Sequence, residues 1–315
     1  MAETRTIDVV VTRRRSAAQD VVLLDLAPAV GTLPRWAPGA HVTVVLDDGR
    51  ERQYSLCSDP DDGTTWRIGV LRQREVSAWL HENARVGCTL RVRGPANHFL
   101  FAPSPGRRYV FVAGGIGITP LVPMLAAAAA AGNEFSLLYL GRSRASMALV
   151  EELEERYRGR VEVFAADEGV RLDLSARFAG QQARTVVYGC GPARLLDGLG
   201  AALDDRPPGS LHVERFAPRT FAPPRWAERF RLELLMSAET LTVEPHESVL
   251  DVLERHDVPV VSSCRVGTCG TCEVAVVDGE VEHRDSVLSP EEQAGNRSMM
   301  PCVSRACGPV LTLDL

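Results

Sequence analysis

The chain has 315 residues, 45% hydrophobic and 24% charged, with a formal net charge of −6. That length exceeds one ordinary core and calls for two or three domains. It holds no run of about 18 apolar residues, so no membrane span is expected, and no nucleic-acid partner is expected either.

The opening MAETRTIDVVV lacks the charged-then-apolar order of a secretory leader. A cytoplasmic protein is expected, where thiols stay reduced. Every one of the 35 basic residues is Arg.

Residues 1–104 read as β. Stretches 7–12, 21–26, 41–46, 53–56, 66–71 and 89–92 are short apolar or alternating runs separated by turns such as Asp47-Asp48-Gly49. Strands of this spacing predict a sandwich or an antiparallel barrel, with one or two helical turns over 76–82. On one strand lies Arg52-Gln53-Tyr54-Ser55. Alternation puts Arg52 and Tyr54 on one face and Gln53 and Ser55 on the other. An Arg can pair with a phosphate, a Tyr can stack on a flat ring and a Ser hydroxyl can donate a hydrogen bond. An aromatic on a strand also serves as ordinary packing.

Residues 105–222 change character. A strand over 108–113 runs into Gly114-Gly115-Ile116-Gly117-Ile118-Thr119-Pro120 and then a helix over 121–131 that stops at Gly132. Pro near the first turn and Gly past the last punctuate a βα unit. Such a turn aims backbone N–H groups and a helix dipole at a pyrophosphate. Close helix–sheet packing would also ask for glycines there. Strands over 135–140, 161–165 and 185–188 then alternate with helices over 149–157 and 172–178, which predicts a parallel α/β sheet. Ligands of such sheets sit at the carboxyl ends of strands. Three of those ends carry Gly-Gly-Ile-Gly, Gly141-Arg142-Ser143-Arg144 and Gly189-Cys190-Gly191-Pro192.

Residues 217–226 are Pro-rich and aperiodic, a semi-rigid linker. Residues 229–315 follow, with strands over 230–236 and 239–243, a helix over 248–256, a hairpin over 273–277 and 280–283, and terminal strands near Cys302 and over 310–313. They carry 15 Asp/Glu against 7 Arg. An acidic surface of this kind steers toward a basic partner face, or simply keeps the domain soluble.

Within this last region Cys264, Cys269 and Cys272 stand at C-x4-C-x2-C spacing, and Cys302 follows after 29 intervening residues. This is the plant-type spacing for four thiolates on a [2Fe–2S] cluster. A zinc site would more often show two knuckles or Cys/His pairs, and disulfides would need an oxidising compartment. Gly267 and Gly270 allow the tight turn that points N–H groups at sulfur. Cys307 is expected to be a small apolar residue off the cluster.

Taken in order, R-Q-Y-S-L-C at 52–57, G-G-I-G-I-T-P at 114–120, Y-G-C-G-P at 188–192 and the C-terminal cysteine pattern resemble the phthalate dioxygenase reductase and vanillate demethylase reductase family. The resemblance covers essentially the whole chain. It implies an antiparallel β-barrel flavin domain (1–104), an α/β parallel-sheet NAD domain (105–222), a linker (223–228) and a β-grasp α+β ferredoxin domain (229–315). FMN is implied, with FAD as the alternative. Arg52 would meet the FMN phosphate or ribityl chain, Tyr54 the isoalloxazine and Ser55 the flavin N5 side. Gln53, Gly69, Val70 and Ser77 join the flavin set, although the glycines that precede this Ser in the family are absent from Arg74-Glu75-Val76-Ser77. Gly115, Gly117, Ile118 and Thr119 map to the pyrophosphate and nicotinamide side, with Arg142, Ser143, Gly191 and Pro192. Cys190 would lie beside the nicotinamide, and Phe216 near the flavin. Ser55 and Cys190 are the two candidate catalytic residues.

The expected function is that of an NADH-dependent reductase component serving a terminal Rieske-type oxygenase that acts on an aromatic acid. A cytochrome P450 partner and a redox sensor are the alternatives, and a monomer is expected. The resemblance favours NADH. Arg142 and Arg144 at the second strand's end lean toward the 2′-phosphate of NADPH, and no acidic residue within 141–144 opposes them.

Overall fold

The computed structural model describes residues 6–180, 184–219 and 221–315. The first five residues of the leader reading and Thr220 of the Pro-rich stretch lie outside the described residues. The chain divides into two compact units, Met1–Glu214 and Arg215–Leu315.

The first unit opens with strands β1 (Thr6–Ala18), β2 (Val21–Pro28), β3 (His41–Val45), β4 (Glu51–Ser55) and β5 (Trp66–Leu71), helix α1 (Val76–Asn83) and strand β6 (Thr89–Ala96). They form an antiparallel sheet in the order β4-β3-β6-β1-β2-β5. The expected barrel is a sheet curled until its edges touch, not a continuously closed cylinder. Its edge strands meet where Leu56 bridges Ile68 and the Cys57 N–H donates to the Arg67 carbonyl at 2.8 Å. β1 runs well past the expected 7–12 because Arg13-Arg14-Arg15 continues the ladder against β2 with its side chains outward.

β2 explains why the two halves of this unit cohere. It is buried on both faces: Val22, Leu24 and Leu26 fill the core of the curled sheet, while Val21 and Leu23 belong to the core beyond it. A strand covered on both sides reads as a continuous apolar run instead of alternating. The one acid in that run, Asp25, accepts a two-pronged contact from Arg67 at 2.6 and 3.0 Å.

The second half comprises β7 (Arg108–Gly114), α2 (Ile118–Ala130), β8 (Glu134–Gly141), α3 (Val150–Arg156), β9 (Val161–Ala165), α4 (Leu174–Phe178), β10 (Thr185–Cys190), α5 (Ala193–Ala202) and β11 (Leu211–Glu214). The strands are all parallel, in the order β11-β10-β7-β8-β9. Sequence reasoning missed α5 and β11. Gly198 and Gly200 mask the helical period of ARLLDGLGAA at 193–202, yet Leu196 and Leu199 are fully buried against the sheet.

The second unit contains β12 (Phe230–Leu234), β13 (Glu239–Val243), α6 (Val249–Arg255), β14 (Val274–Asp278), β15 (Val281–Glu282), α7 (Pro290–Gly295), β16 (Ser298–Met299), β17 (Arg305–Ala306) and β18 (Val310–Leu313). Its main sheet runs β13-β12-β18-β14-β16, mixed because β12 and β18 are parallel. α6 starts on a reciprocal Ser248–Asp251 cap and buries Val249, Val252 and Leu253. The expected hairpin does not pair with itself. β14 bonds to β16 and β18, while β15 leaves to bond β17, so the turn at Gly279 splits two sheets. Among the described residues no helix is long and apolar enough to cross a membrane.

Candidate functional site

On the curled sheet, β4 carries the predicted flavin residues. Tyr54 and Ser55 are buried, and Arg52 donates to Gln73 Oε1 at 2.9 Å. Gln53 lies half-buried on the same strand. The Tyr54 hydroxyl is enclosed yet has no hydrogen-bond partner, and burial pushes its pKa up. An orphaned phenol of this kind fits a site built around a further polar group. Nearby, α1 begins after Glu75 with no side-chain cap, which leaves the N–H groups of its first turn open to an acceptor. Ser77 is buried there, but its hydroxyl accepts the Gln73 N–H and donates to the Arg74 carbonyl, so it serves the turn itself. Val70 points into the core, and a Cβ on Gly69 would come within 2.7 Å of Thr119 Cγ2. The donors and the aromatic therefore fit a flavin.

The glycine turn after β7 is packed directly onto the end of β10. A Cβ on Gly117 would lie 2.3 Å from the Cys190 carbonyl oxygen, and one on Gly114 would lie 2.6 Å from Pro192 Cδ. Gly115 has φ +56° and open space beside it, so its backbone can be approached closely. Gly191 abuts Gly114 in turn. Ile118 and Thr119 are buried, and the Thr119 hydroxyl donates to the Ile116 carbonyl at 3.0 Å. The exposed element of this turn is its backbone, which is what a pyrophosphate needs.

Cys190 is fully buried, and the register of β10 against β11 sets it beside Glu214. Both the Cys190 S–H, at 3.9 Å, and the Ser55 O–H, at 3.5 Å, donate to Glu214 Oε2. Burial raises Glu214 to about 8, and its hydrogen bonds only partly offset this. Burial foremost, and then the neighbouring Glu214, pushes the Cys190 thiol well above its usual value. Ser55 from the curled sheet and Cys190 from the parallel sheet thus converge on one carboxyl that sequence reasoning had given no role. The alternation in Leu-His-Val-Glu at 211–214 was the available signal. Phe216 falls in the second unit and is exposed.

At the end of β8, Arg142 is exposed, while Ser143 and Ser146 cap each other across the turn Arg144–Ser146. Arg144 does not stand free: it forks onto Glu154 at 2.9 and 2.8 Å and approaches Glu168 at 3.4 Å.

In the second unit the four predicted cysteines meet as two pairs. Cys272 Sγ and Cys302 Sγ are 3.4 Å apart. Cys264 is held well below the usual thiol value, foremost by its hydrogen bond with Cys269. The N–H groups of Val266 and Thr268 reach Cys264 Sγ at 3.5 and 3.4 Å. Positive φ at Arg265, Gly267 and Gly270 makes that inward aim possible. Among the described residues no three His, Cys, Asp or Glu converge on a single metal point. Two thiol pairs fit two irons, each taking two sulfurs, better than one zinc. Cys307 stands outside both pairs, half-buried, with its N–H donating to the Glu280 carbonyl.

Comparison with known proteins places this geometry. The 2Fe-2S iron-sulfur cluster binding domain family matches residues 233–307. A putative toluene-4-sulfonate monooxygenase system reductase subunit of Comamonas testosteroni is 42% identical, covering 98% of this chain and 99% of its own length. The solved structure of phthalate dioxygenase reductase, described as modular for electron transfer from pyridine nucleotides to [2Fe-2S], is 32% identical. It covers 98% of both chains with a TM-score of 0.68. An intact type IV self-sufficient cytochrome P450 monooxygenase is 43% identical with a TM-score of 0.91. The match covers 98% of this chain, which spans only 41% of the P450 chain.

Proposed function

This chain belongs to the phthalate dioxygenase reductase and vanillate demethylase reductase family, and from that premise we propose that it is the reductase component that carries electrons from NADH through FMN and a [2Fe–2S] cluster to a terminal oxygenase. The observation that carries this reading is the meeting of Ser55 and Cys190 on Glu214, which joins the flavin strand to the nicotinamide strand. A bound flavin supplies the conversion of a two-electron hydride into single electrons that a cluster can accept.

The chain's own residues bind, orient and hold protons. Arg52 and the uncapped start of α1 would take the phosphate, and Tyr54 the ring. The backbone of Gly115–Gly117 would take the pyrophosphate. Cys190 stays a thiol at neutral pH, so it shapes the nicotinamide pocket and does not act as a nucleophile. Glu214 keeps its proton at neutral pH, within reach of the Ser55 hydroxyl. In the second unit Cys264, Cys269, Cys272 and Cys302 would hold the cluster. Beside the four cluster cysteines, Cys57, Cys88, Cys190 and Cys307 stand as thiols, which suits a reducing, cytoplasmic setting.

For the partner, a Rieske-type oxygenase acting on an aromatic acid is the first reading. The likeness to a self-sufficient P450 supports a P450 partner as the second. Anaerobic titration with NADH, followed by visible absorption and low-temperature EPR, tests the reductase reading. Flavin bleaching accompanied by a rhombic [2Fe–2S] signal is expected. A cluster that never reduces through the flavin would replace this reading with a redox sensor.

A further inference from the structure

In a parallel sheet of this kind a dinucleotide's adenosine end is expected at the carboxyl end of β8, which lies next to the glycine turn that ends β7. Arg142 and Arg144 stand on that loop. In sequence they look like a pair waiting for a 2′-phosphate, and nothing acidic within 141–144 opposes them. The structure brings the opposition from elsewhere. Building on the reductase reading above, we infer that Glu154 and Glu168 are specificity-determining residues that occupy Arg144 and bias the ribose site toward NADH over NADPH.

Three observations carry this. First, the Arg144 guanidinium is spent: Nη1 and Nη2 fork onto the two Glu154 oxygens at 2.9 and 2.8 Å, and Nε faces Glu168 Oε1 at 3.4 Å. A planar fork matched to one carboxylate cannot present the same N–H groups to a phosphate. Second, the backbone that carries Arg144 is held in place. Ser143 and Ser146 cap each other, and the Met147 N–H donates to the Arg144 carbonyl at 3.0 Å. Third, the local charge has the wrong sign. The Asp167 N–H donates to the Arg142 carbonyl at 3.0 Å, which ties the turn that carries Glu168 to the loop, and Glu151 also acts on Arg144 electrostatically. Arg142 and Arg144 thus share the space with Glu151, Glu154 and Glu168, three carboxylates against two guanidinium groups.

A 2′-phosphate brings close to two further negative charges at neutral pH. It would have to break the fork and sit among carboxylates. An uncharged ribose 2′-hydroxyl meets no such repulsion, and a carboxylate can accept its hydrogen bond. These groups are exposed, so each contact is individually weak, and the discrimination should be salt-sensitive and on the order of tenfold.

The test uses the flavin- and cluster-loaded chain with adenosine 2′,5′-bisphosphate and AMP as probes. Their affinities are measured by calorimetry at low and high salt, beside flavin reduction by NADPH and NADH. In the wild type AMP should bind at least as tightly as the bisphosphate. The double variant Glu154→Gln/Glu168→Gln should improve the bisphosphate-to-AMP affinity ratio about tenfold at low salt, with the gain shrinking at high salt. Adding Arg144→Ala to that double variant should abolish the gain, which separates release of Arg144 from a general loss of negative charge. An unchanged ratio in the double variant overturns the inference, as does a wild type that prefers the bisphosphate or a gain that survives Arg144→Ala. The probe affinities do not depend on electron flow. A chain that fails to pass electrons to its cluster would therefore sink the reductase reading while leaving this measurement intact.

Discussion

Ser55 and Glu214 lie 159 positions apart in the chain and meet at 3.5 Å, with Cys190 reaching the same carboxyl oxygen at 3.9 Å. The contact has a thermodynamic consequence. Glu214 sits at about 8 in the fold, raised by burial from an ordinary value of 4.5. A raised value means that the fold favours the protonated carboxyl. Its contribution to stability is complete below pH 4.5 and is lost progressively as pH rises toward 8. Replacing Glu214 with Gln removes this loss. Urea midpoints measured across that window should fall with pH more steeply in the wild type than in Glu214→Gln. Parallel slopes would show that Glu214 ionises normally.

Two glycines of the same turn should differ in how much an added side chain costs. A Cβ on Gly117 would lie 2.3 Å from the Cys190 carbonyl oxygen, which is backbone and cannot rotate away. Gly117→Ala should therefore cost about 1–3 kcal/mol of stability and sharply slow flavin reduction by NADH. Gly115 has φ +56° with nothing nearby. Gly115→Asn, which tolerates that backbone region, should cost under about 1 kcal/mol. Thermal midpoints and stopped-flow bleaching measure both, and equal damage at the two positions would contradict the packing described.

The cysteine loop separates ligand from bystander. Cys302→Ser should abolish the low-temperature EPR signal and lower the iron content, because Cys302 closes the pair with Cys272. Cys307→Ser should leave both unchanged. Gly267→Ala should lower iron content without removing any sulfur. Gly267 has φ +69°, and its Cβ would press to 2.6 Å from Val303 Cγ2 and 3.1 Å from Asp285 Cα. Full iron occupancy in Gly267→Ala would mean that the loop tolerates a shift the contacts do not suggest.

What the sequence made legible follows the distance between interacting residues. The cysteine triplet and the glycine turn announce themselves because each acts within ten or so positions. The Ser289-Pro290-Glu291-Glu292 cap of α7 was equally local and could have been read. The carboxylates on Arg144 come from α3 and from the turn after β9, so the loop's own composition pointed toward NADPH while its surroundings point toward NADH. The hairpin failed for a related reason. Val281 and Glu282 find their partners at Arg305 and Ala306, across the loop that carries Cys302. Glu214 was hidden twice, by its distance from Ser55 and by a strand only four residues long.

The buried Tyr54 hydroxyl offers a test in which the loaded and empty forms should disagree. In the structure this oxygen has no hydrogen-bond partner. Leaving a buried donor unpaired costs about 1–3 kcal/mol, whereas a phenyl ring in its place loses nothing there. Tyr54→Phe should therefore leave the flavin-free chain as stable as the wild type, or more so. If a bound flavin supplies the missing partner, the same variant forfeits a hydrogen bond on binding, of about 0.5–1.5 kcal/mol, roughly a two- to tenfold loss of flavin affinity. Thermal midpoints of the flavin-free form and fluorescence titration with FMN read the two effects separately. Unaltered FMN affinity would remove Tyr54 Oη from the flavin site while leaving its ring as packing. Loss of stability in the flavin-free form would mean that the hydroxyl already has a partner in the fold.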